Sequence, residues 1–336
     1  MKRKWSIGLM LLVIFALSCS VVFAATPVGT ATQSPTQAAP PQGKLYFAAF
    51  DNNPAHMQYN VWVYDLATTR RNKLIENASQ PSLSHDGKAI TYKLWTPDQA
   101  VGGLYAASLN DIRNTKWRFM PSISAQRPQF APNDSFFVFD SQNESDRLER
   151  VLVTDGANAK TILRPDMDNK DILGKSPTVA LAGKNYVVAY QACEFAKCGV
   201  WERLLNGAGP VQIGEQTSDV SLQSSPDGKS IAFMSYNRDG AKDWEVYVMA
   251  SDGTNVKRLT SRPGVDGQPS WSPDGQWITF VRETKPGANA WDIMAIRPDG
   301  TGEQKLVELG ALDGKVMGTT PDQNQGWMEE QVAWGQ

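Results

Sequence analysis

Histidine and cysteine are scarce: the 336 residues hold two histidines, His56 and His85, and three cysteines. So little histidine removes the side chain most often used as a general base and metal ligand. No G-x-S-x-G segment occurs, so a serine-hydrolase reading lacks both the nucleophile turn and a base to serve it. EF-hand spacing is absent as well, as is a second cysteine pair to complete a metal site. The 35 acidic residues make chance carboxylate pairs inevitable, so they do not argue for glycoside hydrolysis. The sequence therefore predicts no catalytic residue, no cofactor and no metal. Lysine and arginine form no cluster or stripe, which excludes a nucleic-acid footprint.

Long apolar runs are also missing, apart from one at the N-terminus. Lys2, Arg3 and Lys4 precede an apolar stretch from Ile7 to Leu17, about half the ~20 residues needed to span a bilayer. That is the pattern of an export signal, with cleavage expected after Ala24. Lipidation at Cys19 is the competing reading and would provide the one membrane attachment. Removing residues 1–24 leaves 30 basic against 35 acidic side chains, a mild net charge of about −5. Residues 25–43 contain no charge and no aromatic and are rich in Ala, Thr, Pro and Gln, the composition of a flexible tether.

After that cleavage only Cys193 and Cys198 remain, between two apolar runs. In an exported chain they are expected to bond and staple a short hairpin loop. Free thiols are the alternative, and a metal or redox pair is the weakest reading.

What the sequence does have is a repeat. Ser225-Pro226-Asp227-Gly228 followed by Ile231-Ala232-Phe233 matches Ser272-Pro273-Asp274-Gly275 followed by Ile278-Thr279-Phe280. Each copy continues into a polar loop, a run opening at Trp244 or Trp291, and a turn at Asp252-Gly253 or Asp299-Gly300. Weaker copies lie at Ser84-His85-Asp86-Gly87 and Ala131-Pro132-Asn133-Asp134, and a degenerate one at 177–190. The residues before each motif, Leu83, Phe130, Val179, Ser224 and Trp271, are spaced by 47, 49, 45 and 47. Units of this length with four short β-type runs point to propeller blades, which must stack around an axis to bury both faces. The first unit, from Lys44, lacks its opening strand, and Gln331-Val332-Ala333-Trp334-Gly335 supplies it in the right phase. The fold expected is all-β: a six-bladed propeller over 44–336, sealed by pairing of 331–334 with the strand around 45–50, and most simply a monomer.

The run Pro269-Ser270-Trp271-Ser272-Pro273-Asp274-Gly275, with its downstream Ile-x-Phe and Asp-Gly turn, resembles the repeat of TolB-type propellers. The same repeat is similar to that of propeller domains in prolyl-oligopeptidase-like peptidases. TolB-type proteins place an α/β domain ahead of the propeller, where this sequence has the tether. The peptidases add a hydrolase domain, for which this sequence shows no counterpart.

Blade topology puts the Ser-Pro-Asp-Gly and Asp-Gly turns on one face of the disc and the longer loops on the other. Long polar loops on a rigid scaffold are where binding residues gather. The candidates there are Asp51, His56, Tyr59, Trp95, Arg147, Tyr236, Arg238, Trp244, Arg262, Asp266, Arg282, Trp291 and Trp327. Trp62, Trp201, Trp271, Trp277 and Trp334 fall on strand runs and read as packing. The last crossing, Trp271 to Trp334, spans 63 residues, and its extra length marks 310–330 as the most informative segment. The expected role is a non-catalytic module for a protein or peptide partner, with a polysaccharide as the alternative ligand.

Overall fold

The computed structural model describes residues 39–51, 58–96, 101–142, 149–156, 159–163, 174–194, 197–205, 209–240, 242–285, 290–310 and 330–336. Among them are six four-stranded antiparallel sheets. Blade 1 contains β1 (Lys44–Asp51), β2 (Gln58–Asp65) and β3 (Arg70–Ile75). Blade 2 is β4 (Ala78–Leu83), β5 (Ala89–Leu94), β6 (Gly103–Ser108) and β7 (Trp117–Met120). Blade 3 is β8 (Ala125–Phe130), β9 (Phe137–Gln142), β10 (Glu149–Thr154) and β11 (Ala159–Leu163). Blade 4 is β12 (Lys175–Ala182), β13 (Asn185–Glu194), β14 (Lys197–Leu204) and β15 (Val211–Gly214). Blade 5 is β16 (Val220–Ser224), β17 (Ser230–Tyr236), β18 (Trp244–Ala250) and β19 (Lys257–Arg258). Blade 6 is β20 (Asp266–Trp271), β21 (Ile278–Glu283), β22 (Trp291–Ile296) and β23 (Gln304–Gly310).

The ring closes as the repeat phase predicts. The last strand, β24 (Val332–Gly335), pairs antiparallel with β1, with Leu45 opposite Trp334 and Phe47 opposite Val332. It thereby becomes the innermost strand of blade 1, the place β4, β8, β12, β16 and β20 hold in the other blades.

Packing follows from the two-residue period of a strand, which sends alternate side chains to opposite faces. Ile278, Phe280, Met294 and Ile296 of blade 6 cluster with Ala232, Val246 and Val248 of blade 5. Trp277, Val281, Ile293 and Ala295, in the other phase, cluster with Leu45, Phe47, Val332 and Trp334 of blade 1. The same division recurs around the ring, so the core consists of six inter-blade seams. Both faces of each sheet are covered, and β21 and β22 are buried along their whole length.

The repeated turn has a local cause. Ser225 and Ser272 donate their hydroxyls to Asp227 and Asp274, and each hydroxyl accepts the N–H of the residue that opens or precedes the next strand. Gly228 and Gly275 sit at φ 70° and 68°, the left-handed region that glycine enters without a steric penalty. Asp134 takes that place in blade 3 at φ 59°, which explains how the motif survives without its glycine. In blade 4 the motif is lost, because β12 and β13 continue pairing to Ala182 and Asn185 around a tight turn.

Cys193 and Cys198 face each other across β13 and β14 and are disulfide-bonded, the pairing expected from the sequence.

Candidate functional site

The innermost strands surround an axial channel, and each of β4, β8, β12, β16 and β20 carries a bulge at the same place. The bulged residues Gln80, Arg127, Ser176, Ser221 and Gln268 all lie at φ 52–54°. Four of them precede proline, a residue tolerated on a sheet edge because no partner strand needs its missing N–H. A left-handed non-glycine residue costs roughly 1–2 kcal/mol, so the surroundings must hold it in place. Hydrogen bonds passed from blade to blade do so. Gln80 donates its backbone N–H to Glu330 Oε2 at 3.2 Å, and Gln80 Oε1 accepts the Arg127 N–H at 2.8 Å. Arg127 Nε meets Asp140 Oδ2 at 2.7 Å, and that same oxygen accepts the Ser176 N–H at 2.7 Å. The result is a polar girdle across four blades.

Above the girdle the channel widens into a cavity of about 180 Å³ that opens among the Ser-Pro-Asp-Gly turns. Its wall takes Ser82, Thr178, Ser270, Trp271 and Trp334 from the inner strands, with His85, Pro226 and Pro273 near the mouth. Below, the channel narrows to a space of about 10 Å³ beside Arg127, Ser176, Gln268 and Glu330. Gln129, Gln223 and Gln331 line both parts. At the rim, Asp134 of blade 3 accepts the backbone N–H groups of His85 and Asp86 in blade 2, at 2.8 and 3.1 Å, tying neighbouring turns together.

The candidates on the loop face have diverse fates. Trp95 is 42% exposed, its ring covered on one side by Lys93 Nζ at 4.0 Å and its Nε1 donating to Ser79. Tyr59 is half-buried, and burial, with the charge of Glu330, pushes its hydroxyl pKa up. Tyr236 is half-buried against Trp244, and Arg262 is exposed, 3.5 Å from Glu303. Trp244 and Trp291 require correction as stacking surfaces: they are 2% and 0% exposed and belong to the core. Each is the first residue of its strand, so the strand's inward phase governs it although polar loop precedes it. Asp266 and Arg282 are likewise unavailable to a ligand. They form a buried bidentate pair, both contacts 2.7 Å, and Arg282 also grips Glu303. Arg238 is held by Asp219 at 2.6 Å. The side chain of Asp51, and His56, Arg147 and Trp327, lie outside the described residues, as does most of the 310–330 crossing.

A buried acid cluster joins blades 5 and 6. Glu245, fully buried on β18, contacts the Arg258 guanidinium and accepts the Thr260 hydroxyl. Burial raises its carboxyl to about 7, with the charge of Asp266 adding to the shift and Thr260 and Arg258 opposing it. Asp266 and Asp219 are also raised by burial.

The propeller ring is similar to solved structures. TolB from Acinetobacter baumannii superposes with a TM-score of 0.66 at 16% identity, over 87% of this chain and 66% of that one. The fold is that of a TolB-type six-bladed propeller. A TolB from Agrobacterium tumefaciens, described as putative, matches at 0.59 and 16% identity, over 82% of this chain and 92% of its own. The tricorn protease matches at 0.55 and 16% identity, over 82% of this chain but only 27% of that one. No family model matches the sequence, and no curated protein does. The TolB likeness extends over 82–87% of this chain, at an identity that carries the fold alone.

The channel girdle and the three glutamines escaped the sequence reading. Part of their signal was the x-Pro step in four of the opening strands, as at Gln80-Pro81 and Gln268-Pro269, which marks a bulge rather than a regular strand.

Proposed function

We propose that this protein is an exported, non-catalytic binding module that docks a protein partner on its loop face. The observation that carries this reading is an exposed apolar group on blade 2, made of Trp95, Val101 and Ile123 at 42, 44 and 43% exposure. Ile123 and Thr96 both flank Gly102, and a side chain there would meet Ile123 Cγ2 at 3.0 Å, so the segments around Trp95 and Ile123 abut. The other large exposed apolar residues, among them Trp117, Leu181, Val211 and Val256, are spread over blades 2, 4 and 5 near the turn face. An aromatic anchor with aliphatic neighbours on a rigid edge is the composition of an interface hot spot. The TolB-type fold supports a protein partner in general, and the N-terminal leader pattern and the bonded cysteine pair support export. The absence of a nucleophile turn from the sequence supports a role without catalysis.

A photo-crosslinking residue placed at Ile123, and separately at Val211 on the turn face, tests the reading in the native envelope. A discrete adduct from position 123 that disappears on Trp95→Ser is expected. Equal adducts from both positions, or adducts from position 211 alone, refute the loop face.

A further inference from the structure

The axial cavity lies toward the opposite face from Trp95 and is independent of the docking surface. Its lining is unusual for a chain in which one residue in five is charged. Among the described residues that line it, no side chain is acidic, lysine or arginine, and His85 at the rim is the one titratable side chain. At its floor stand Gln129 and Gln331, each 8% exposed, with Gln223 beside them. The carboxamides of these three glutamines have no hydrogen-bond partner among the described residues. Each supplies two donors and an acceptor. Carboxamides that face a cavity in this way take their partners from what fills it, and a cavity of about 180 Å³ holds on the order of six waters or one small ring. Trp271 and Trp334 add indole surface to the wall, their N–H groups already given to the Gln223 and Gln42 carbonyls.

We propose that this cavity is a binding site for one uncharged sugar unit, the free end of a neutral glycan. Three features favour that class. Carboxamides and hydroxyls match the donor–acceptor pairs of sugar hydroxyls, and indoles suit the apolar faces of a ring. The volume is below that of drug-sized sites. The cavity is also closed beneath by the girdle, where only about 10 Å³ remains, so a chain enters end first. A peptide end carries an ammonium or a carboxylate, for which no side chain of the lining below His85 offers a countercharge, and burying it there carries a desolvation cost. The end of a neutral glycan carries none.

The test uses the intact protein labelled with ¹⁵N at its indole nitrogens, titrated with glucose and N-acetylglucosamine. Glucuronic acid, alanyl-alanine and its N-acetyl, C-amide form serve as comparisons. Saturable shifts of the Trp271 and Trp334 indole signals with a neutral sugar are expected, and at least tenfold weaker binding of glucuronic acid. Gln129→Leu should weaken the sugar by about tenfold, the equivalent of one lost buried hydrogen bond. Trp95→Ser should leave it unchanged, so this site and the docking face fail separately. Absence of shifts with both sugars at millimolar concentration in the unmutated protein overturns the proposal. Preferential binding of either alanine peptide overturns it in favour of a peptide site.

Discussion

Glu245→Gln tests whether the buried carboxyl at the blade 5–6 seam is a protonation-dependent element of stability. Its carboxyl is raised from an ordinary 4.5 to about 7 by burial, so the folded protein holds a proton that the unfolded chain releases. Stability from this group is therefore fully present below about pH 4.5 and is lost as the pH rises through 7. The shift corresponds to at most about 3 kcal/mol over that window. Glutamine keeps the shape and stays neutral throughout. It also loses the ionic contact with Arg258, but that attraction opposes the upward shift and is already contained in the pH-dependent difference. Urea unfolding of both proteins at pH 5, 6, 7 and 8 isolates the effect as a difference. The variant should gain on the parent by up to about 3 kcal/mol between pH 5 and pH 8. A difference that is flat with pH would refute the assignment, since Asp266 and Asp219 are common to both proteins.

Trp334→Ala removes a nearly buried indole from the closing seam and should cost about 3–5 kcal/mol in urea unfolding; an unchanged midpoint would mean that the ring does not depend on β24. Gly228→Ala forces a left-handed alanine whose Cβ would lie 2.9 Å from the Leu181 carbonyl oxygen, whereas Gly87→Ala meets nothing within 4 Å. Both variants should lose about 1 kcal/mol from backbone strain, with Gly228→Ala clearly the worse, and equal melting temperatures would refute the contact argument. Cys193→Ser should lower stability by about 2 kcal/mol, as expected for closing so short a loop. Non-reducing peptide mapping of the parent checks the bond itself.

The fold was legible because its information is local and repeated. Ser272, Asp274 and Gly275 build one turn by contacts within a few residues, and the same letters recur at that turn in blades 2 and 5. Ring closure was legible because Trp334 keeps the phase of Trp271. The site was far less so, because its features arise between blades. That Asp266 is consumed by Arg282 depends on register across β20 and β21, and no spacing announces it. That Gln129, Gln223 and Gln331 converge depends on bulges in β8 and β16 and on where the chain enters β24. Trp244 and Trp291 were misread for a narrower reason, since a polar loop before a strand says nothing about the phase of the strand's first residue.

The partners of the closing seam lie far apart in the chain: Trp334 donates its indole N–H to the carbonyl of Gln42, 292 residues earlier. Five blades draw all four strands from consecutive sequence and can assemble as the chain emerges, but blade 1 must wait for its last strand. Until then β1 presents an open edge bearing Leu45, Tyr46 and Phe47. Such late, long-range pairing makes completion of the ring a slow step. It also leaves an interval in which a second copy could lend its own β24, so crowding during folding, more than weakness of the finished ring, is the hazard this architecture carries.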